Sequence, residues 1–329
     1  MNLRCGGWRQ QLAALVVAAV LTHSLPASAA QPAKPYRIGV INEAWAANHP
    51  TVEGLKHGLR ELGLVEGRDV VYEVRFTRGK PGAADAAAAD LVRSGVDLLF
   101  TSDDTPTLAA KKATQRIPVV FTLVGDPVAV GLVDALAYPG GNLTGISSRA
   151  TELAPKRLEI LKQLVPELRR VWFIYYSGDI TDSASRQRLE DAARELGLEL
   201  LPRPVNDADG VTAAIKEIRA SDGVVSPSSN TLDIPVAILE AQATRLFPAV
   251  YPSAIWTSHG ALASYGPDFR AQGVQAARLV DKLLRGIRAE DLPVEGAEKI
   301  NLAINLKTIG MLRLTVPPKI LFGVSAVYR

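Results

Sequence analysis

From Tyr36 onward, short β-branched runs alternate with stretches in which apolar residues recur every three or four positions. YRIGVI reads as a buried strand. PTVEGLKHGLRELG comes next, with Val52, Leu55, Leu59 and Leu62 at helical spacing and Gly63 as a stop. DVVYEVRF, VDLLFTS and IPVVFTLV are three more strands, separated by the alanine-rich helix AADAAAADLVRSG and the helix TPTLAAKKATQR. Strands alternating with helices at this spacing imply a parallel sheet covered on both faces.

After GNLTGIS the rhythm starts again. LAPKRLEILKQLV is amphipathic, RRVWFIYY a strand, SASRQRLEDAARELG a helix, LELLPRPV a strand, DGVTAAIKEIRAS a helix and DGVVSPS a strand. The tail adds GALASYG as a strand, FRAQGVQAARLVDKLLRG as a long helix, and EKINLAINLKTIGML as a strand and short helix. The expected architecture is therefore α/β: two Rossmann-like lobes with parallel sheets, joined near Ser147–Ala150 by a hinge of several crossings. Lobe 1 is expected over 36–148, with about 261–288 returning to it. Lobe 2 is expected over 149–260, with about 298–329.

The chain length of 329 residues suits two domains at roughly 100–200 residues each. The N-terminus has a separate explanation. Arg4 and Arg9 form a charged segment, LAALVVAAVL an apolar one, and ASAA offers small residues for cleavage. Residues 1–30 read as a signal peptide, too short for a normal membrane span, cut after Ala29 or Ala30. The product is expected to be exported. Cys5 precedes the apolar segment and cannot be a lipid-attachment cysteine after it. The mature chain then lacks cysteine, which excludes disulfides, thiolate metal sites and a thiol nucleophile. A formal net charge of +3, two of it from Arg4 and Arg9, offers no basic stripe for nucleic acid.

In open parallel sheets ligands bind outside the carboxyl ends of the strands. Those ends carry Asn42, Glu43, Trp45 and His49, then Thr101–Thr105, then Gly125 and Asp126. In the second half they carry Tyr175–Ser177, Asp179, Ser226 to Asn230, Ser253, Trp256 and Tyr265. From these the expected ligand-binding set is Trp45, Ser102, Asp103, Thr105, Gly125, Asp126, Tyr176, Ser177, Asn230, Trp256 and Tyr265. Any single Ser, Thr or Asp there is more often a helix N-cap. Trp172 lies within a strand and belongs to the core, and Tyr175 faces away from Tyr176 by strand alternation. No Walker sequence, GxGxxG, HExxH or GxSxG is present, so no cofactor or metal is implied. Asp103, Asp104 and Asp126 come after strands where no lysine or arginine stands, which favours a cationic group on the ligand. The alternative is that these aspartates only cap turns.

Several stretches, in this order, carry a resemblance: GLRELGLVEGRDVVYEVRF, IPVVFTLVGDPVAVGLV, YPGGNLTGIS, KRLEILKQLVPELRRV, FPAVYP, GALASYGPDF and LPVEGAEKINLAINLKTIGMLRLTVPP. The chain resembles the periplasmic substrate-binding proteins of ABC transporters, within the family that includes tryptophan- and tyrosine-binding members. The resemblance implies a type I periplasmic binding protein, not an enzyme, acting as a monomer that delivers a small-molecule ligand to permease subunits in the inner membrane. Gly125 and Asp126 would then face the cleft between lobes. SAIWTSHG and TSDDTPT depart from the serine–aspartate and small-residue patterns of the aromatic amino-acid binders. Two other functions compete with solute capture. One is a secreted hydrolase using Asp103 or Asp126; the other is a ligand sensor for a membrane signalling partner.

Overall fold

The computed structural model describes residues 34–329 except 44–48, 79 and 81. The expected signal peptide and Trp45 lie outside the described residues. Residues Pro35–Arg329 form one compact unit.

The first half runs β1 (Tyr36–Asn42), α1 (Pro50–Glu61), β2 (Val70–Phe76), α2 (Ala83–Ser94), β3 (Leu98–Ser102), α3 (Asp104–Ala113), β4 (Val119–Val124) and β5 (Leu143–Ser147). The second runs α4 (Ala150–Leu164), β6 (Arg170–Tyr176), α5 (Ile180–Glu195), β7 (Glu199–Val205), α6 (Ala208–Glu217), β8 (Gly223–Val225), α7 (Ile234–Arg245) and β9 (Ala249–Tyr251). The tail supplies α8 (Ala254–Ser258), β10 (Ala263–Pro267), α9 (Phe269–Leu284), β11 (Glu295–Gly296), β12 (Ile300–Asn305), α10 (Leu306–Met311), α11 (Pro318–Gly323) and β13 (Ala326–Tyr328).

One sheet has the order β11-β5-β4-β3-β1-β2, the other β13-β12-β10-β9-β8-β6-β7. Among the described residues all strand pairings are parallel except β10 with β12. Each sheet is buried on both faces, which is why its strands carry continuous apolar runs. Along β1, Ile38 and Val40 face the core shared with α1 and α9, while Ile41 faces the core shared with α2 and α3. Along β6, Phe173 and Tyr175 point to the α4 side, and Trp172 and Ile174 to the opposite face. Trp172 is a core residue whose Nε1 donates to Asp222 at 2.9 Å.

The segment 261–288, expected to return to lobe 1, divides instead. Its strand β10 stays in the second sheet, paired with β9 and β12. Its helix α9 packs on α1 at very close range. A Cβ on Gly54 would meet Arg270 O at 2.0 Å, and one on Gly273 would meet Thr51 O at 2.0 Å. Only glycine permits that approach. Among the described residues the chain passes between sheets three times, at 147–150, 267–269 and 296–300. Asp268 ties the last two crossings together, accepting from Lys299 Nζ at 2.8 Å and Asn301 Nδ2 at 3.3 Å.

Candidate functional site

Both sheets contain the order in which the first strand lies between the second and third: β2-β1-β3 in one, β7-β6-β8 in the other. At that reversal the succeeding helices leave to opposite faces, and a crevice opens outside the strand ends. In the first lobe the crevice is lined by Glu43, just past the end of β1, and by Asp103–Asp104, just past the end of β3. In the second lobe Asp179 and the first turn of α5 line it beyond β6, and the loop 226–230 lines it beyond β8.

The two crevices meet. Thr181 Oγ1, in the first turn of α5, donates to Asp104 Oδ2 at 3.0 Å. A Cβ on Gly125 would lie 2.1 Å from Thr181 Cγ2. Glycine at the end of β4 is therefore what lets the lobes touch here. The strand itself is bent just before it: Leu123 has φ 62°, the register shifts between Thr122 and Val124, and the Leu123 N–H donates to Gln272 Oε1 at 3.2 Å.

Five carboxylates gather around this contact. Asp103 heads α3 with φ 78° and ψ 166°, a region that is essentially glycine-only and costs about 1–3 kcal/mol. Its side chain makes no helix-capping hydrogen bond. Burial raises its pKa first, and then Glu43, Asp104 and Asp179 raise it further. Burial, then Asp179, pushes Asp104 up to about 7, against the Thr181 and Gly125 hydrogen bonds. Asp104 Oδ1 is enclosed and accepts no hydrogen bond among the described residues. Glu43 is raised by burial and by Asp179, although Thr105 hydrogen-bonds to it. Asp179 caps α5 through Asp182 N at 2.7 Å, yet burial still raises it. Asp182 is 1% exposed. It receives the backbone N–H groups of Ser228 at 2.9 Å and Ser229 at 3.2 Å, and burial with Asp179 still lifts it to about 7.

Among the described residues the one cation acting on this group is Arg157, also 1% exposed. Its Nε donates to Tyr265 O at 2.9 Å and its Nη1 to Ser228 Oγ at 3.1 Å. Burial lowers its pKa to about 10, partly offset by Asp182 and Tyr265. Arg157 thus steadies the loop that holds Asp182, within the second lobe. Glu43, Asp103, Asp104 and Asp179 form no ion pair among the described residues. The undescribed stretch 44–48 reads AWAAN and brings no charge.

Other expected site residues take different places. Asp126 is a turn cap: its Oδ1 accepts from Ala129 N at 3.0 Å, and it is not among the charges acting on the group above. The aspartate with which it was grouped, Asp103, has no such backbone partner. Ser102 is fully buried, bonded to Thr51 Oγ1 at 3.0 Å and Thr122 Oγ1 at 3.2 Å. That chain of hydroxyls continues to His49 Nδ1, 2.7 Å from Thr51 Oγ1; burial lowers the His49 pKa to about 4. Ser177 donates to Asn206 and is exposed, and Asn230 is exposed at the start of the turn Thr231–Asp233. Tyr176 is half-buried, its ring lying where a Cβ of Gly178 would be, 2.6 Å from Cε1. Trp256 leans on Tyr251 at 5.9 Å between ring centroids, and both join the core on the α6–α7 face. Tyr265 packs on the opposite core and serves the site through its carbonyl.

Sequence reasoning placed Glu43, Asp104 and Asp179 at strand ends but left them out of the binding set. It missed Arg157, Thr181 and Asp182. Arg157 had a signal: it interrupts the apolar stripe of Leu153, Ala154, Leu158 and Leu161 on α4, where an unpaired charge is out of place.

Two doubly wound lobes that meet at their strand ends, with a polar crevice between them, define the type I periplasmic binding fold. The family model for ABC transporter substrate binding proteins matches residues 42–327, and the chain belongs to that family. A tyrosine-binding protein of Clostridioides difficile (strain R20291) is 27% identical over 277 residues, 81% of this chain and 79% of that protein. A Streptococcus pneumonia ABC domain in complex with L-Trp has the same fold, at TM-score 0.79 and 24% identity over 89% of this chain and 100% of that one. The ligand-free, open structure of a substrate-binding protein with adhesive properties from Clostridium difficile aligns at TM-score 0.67 and 22% identity, over 89% and 99%.

Proposed function

We propose that this chain is the exported, non-catalytic receptor of an ABC transporter, capturing a small amino-bearing solute between its lobes and presenting it to membrane permease subunits. The observation that carries the reading is the arrangement of Glu43, Asp103 and Asp104 on one lobe opposite Asp179 on the other. Carboxyl groups brought together away from water either hold their protons or take a counter-charge, and a cationic group on a ligand offers that charge. A ligand nitrogen contacted from both lobes supplies it in the closed form alone, and so stabilises closure. The relatives agree in class: one is named for tyrosine and another holds L-Trp. The sequence of residues 1–30 supports export to the periplasm.

The test is a thermal-shift and calorimetric screen of the mature protein against amino acids, amines, their N-acetylated forms and neutral sugars. Free amines should stabilise the protein and lose their effect on acetylation. Equal binding of an amine and its N-acetyl derivative, or a neutral sugar as the tight ligand, would overturn the reading.

A further inference from the structure

The last elements of the chain leave large apolar side chains outside the core. Helix α11 buries Ile320 but turns Leu321 and Phe322 outward, and Phe322 is 92% exposed. Next in the chain, β13 is the outermost strand of the second sheet, and both α8 and α10 pack against it. These elements expose Ile255, Leu306, Met311 and Val327 as well. Single exposed apolar residues are ordinary on a protein surface, whereas a group of them on adjoining elements marks a contact surface.

The charge around them has one sign. Residues 299–329 contain no aspartate or glutamate. Lys307, Arg313 and Lys319 are exposed and form no ion pair among the described residues. Helix α4, against which α11 packs, has its acids neutralised: Arg149 Nε lies 2.7 Å from Glu152, and Lys156 Nζ 2.7 Å from Glu159. Helix α8 carries no charged residue.

This face lies away from the crevice. Strand β10 runs parallel to β9, and β12 runs antiparallel to β10, with Ile304 opposite Ala263. Helix α10 follows Asn305 and so leaves from the end of the sheet opposite the crevice. Solute capture therefore does not cover it.

We infer that this face rests on a bilayer containing anionic lipid, with Leu321 and Phe322 entering the boundary between headgroups and acyl chains and Lys307, Arg313 and Lys319 meeting the phosphates. Among the described residues no helix is long and apolar enough to cross a membrane, so the contact is at the surface. Apolar tips accompanied by free cations divide in this way between the two layers of a lipid surface. A second copy of the chain fits worse, because a two-fold interface would set the same cations against themselves.

The test is co-sedimentation of the mature protein with vesicles of phosphatidylglycerol and phosphatidylcholine in equal parts, and with vesicles of phosphatidylcholine alone. The mixed vesicles should bind the protein, and more weakly as salt is raised. Phe322→Ser should lower the partitioning by roughly tenfold. Lys319→Gln should lower it by about fivefold, the factor that one cation near an anionic surface contributes. Both side chains lie outside the core, so the unfolding midpoints should stay at the wild-type value. Sedimentation velocity without lipid should show a monomer. The inference is overturned if the mixed vesicles bind no protein, if phosphatidylcholine alone binds it equally, or if Phe322→Ser binds like wild type. It is also overturned if wild type self-associates without lipid and Phe322→Ser returns it to a monomer, which would give the face to a second copy.

Discussion

Gly125→Ala tests lobe closure with the smallest possible change. Gly125 does not have a positive φ, so alanine fits its backbone conformation. The new Cβ, however, would sit 2.1 Å from Thr181 Cγ2 and 2.9 Å from Thr181 Oγ1, across the crevice. Carbon atoms in contact lie about 3.5–4.0 Å apart, so the lobes must separate locally by about 1.5 Å. That shift breaks the 3.0 Å hydrogen bond from Thr181 to Asp104. A hydrogen bond to a charged group contributes about 1.5–3 kcal/mol, so closure-dependent affinity should fall roughly 10- to 150-fold. The residue is at a strand end between lobes, and the unfolding midpoint of the ligand-free protein should hardly move. Calorimetry of the screened ligand reads the affinity, and solution scattering at saturation reads the closure. Adding Thr181→Ser removes the methyl that makes the worst contact and should restore much of the binding. Wild-type affinity in Gly125→Ala would refute the closure reasoning.

Three further outcomes are expected. Asp103→Gly should stabilise the fold in urea by about 1 kcal/mol through relief of its φ 78°, ψ 166° backbone, while weakening amine binding; destabilisation would contradict that strain. Asp182 has a folded pKa of about 7, above its ordinary 3.8. The unfolded chain therefore releases the proton first, so this group's contribution is fully present below about pH 4, falls as pH rises towards 7, and is flat above. The whole change is of order 4 kcal/mol at about 1.4 kcal/mol per pH unit. Denaturant titrations from pH 4 to 8 should show a steeper loss in wild type than in Asp182→Asn, and parallel curves would contradict the shift. N-terminal sequencing of the native protein should begin at Ala30 or Gln31, and an intact Met1 on cytoplasmic material would exclude export.

The alternation of strands and helices was legible because each element repeats a simple period, and the parallel-sheet rule then located the crevice. Which carboxylates are satisfied by backbone stayed hidden. Asp126 and Asp103 look alike as residues after strands, yet Asp126 caps Ala129 N and Asp103 caps nothing. That difference depends on the local path of a turn, not on composition. Asp179 reads as an ordinary N-cap, and it is one; its further role arises because lobe closure brings it up to Asp103 and Asp104. Contacts between lobes have no sequence period. The same holds for β10, whose partners β9 and β12 keep it in the second sheet while the next helix crosses to α1.

The central claim is that the interlobe crevice captures a solute through its amino nitrogen. Native mass spectrometry of the protein isolated from the periplasm, with identification of the released solute, tests it most directly. The expected result is a 1:1 complex with an amine-bearing solute that is absent from the Asp103→Asn protein. A neutral sugar or a simple carboxylic acid, retained equally by both proteins, would contradict it.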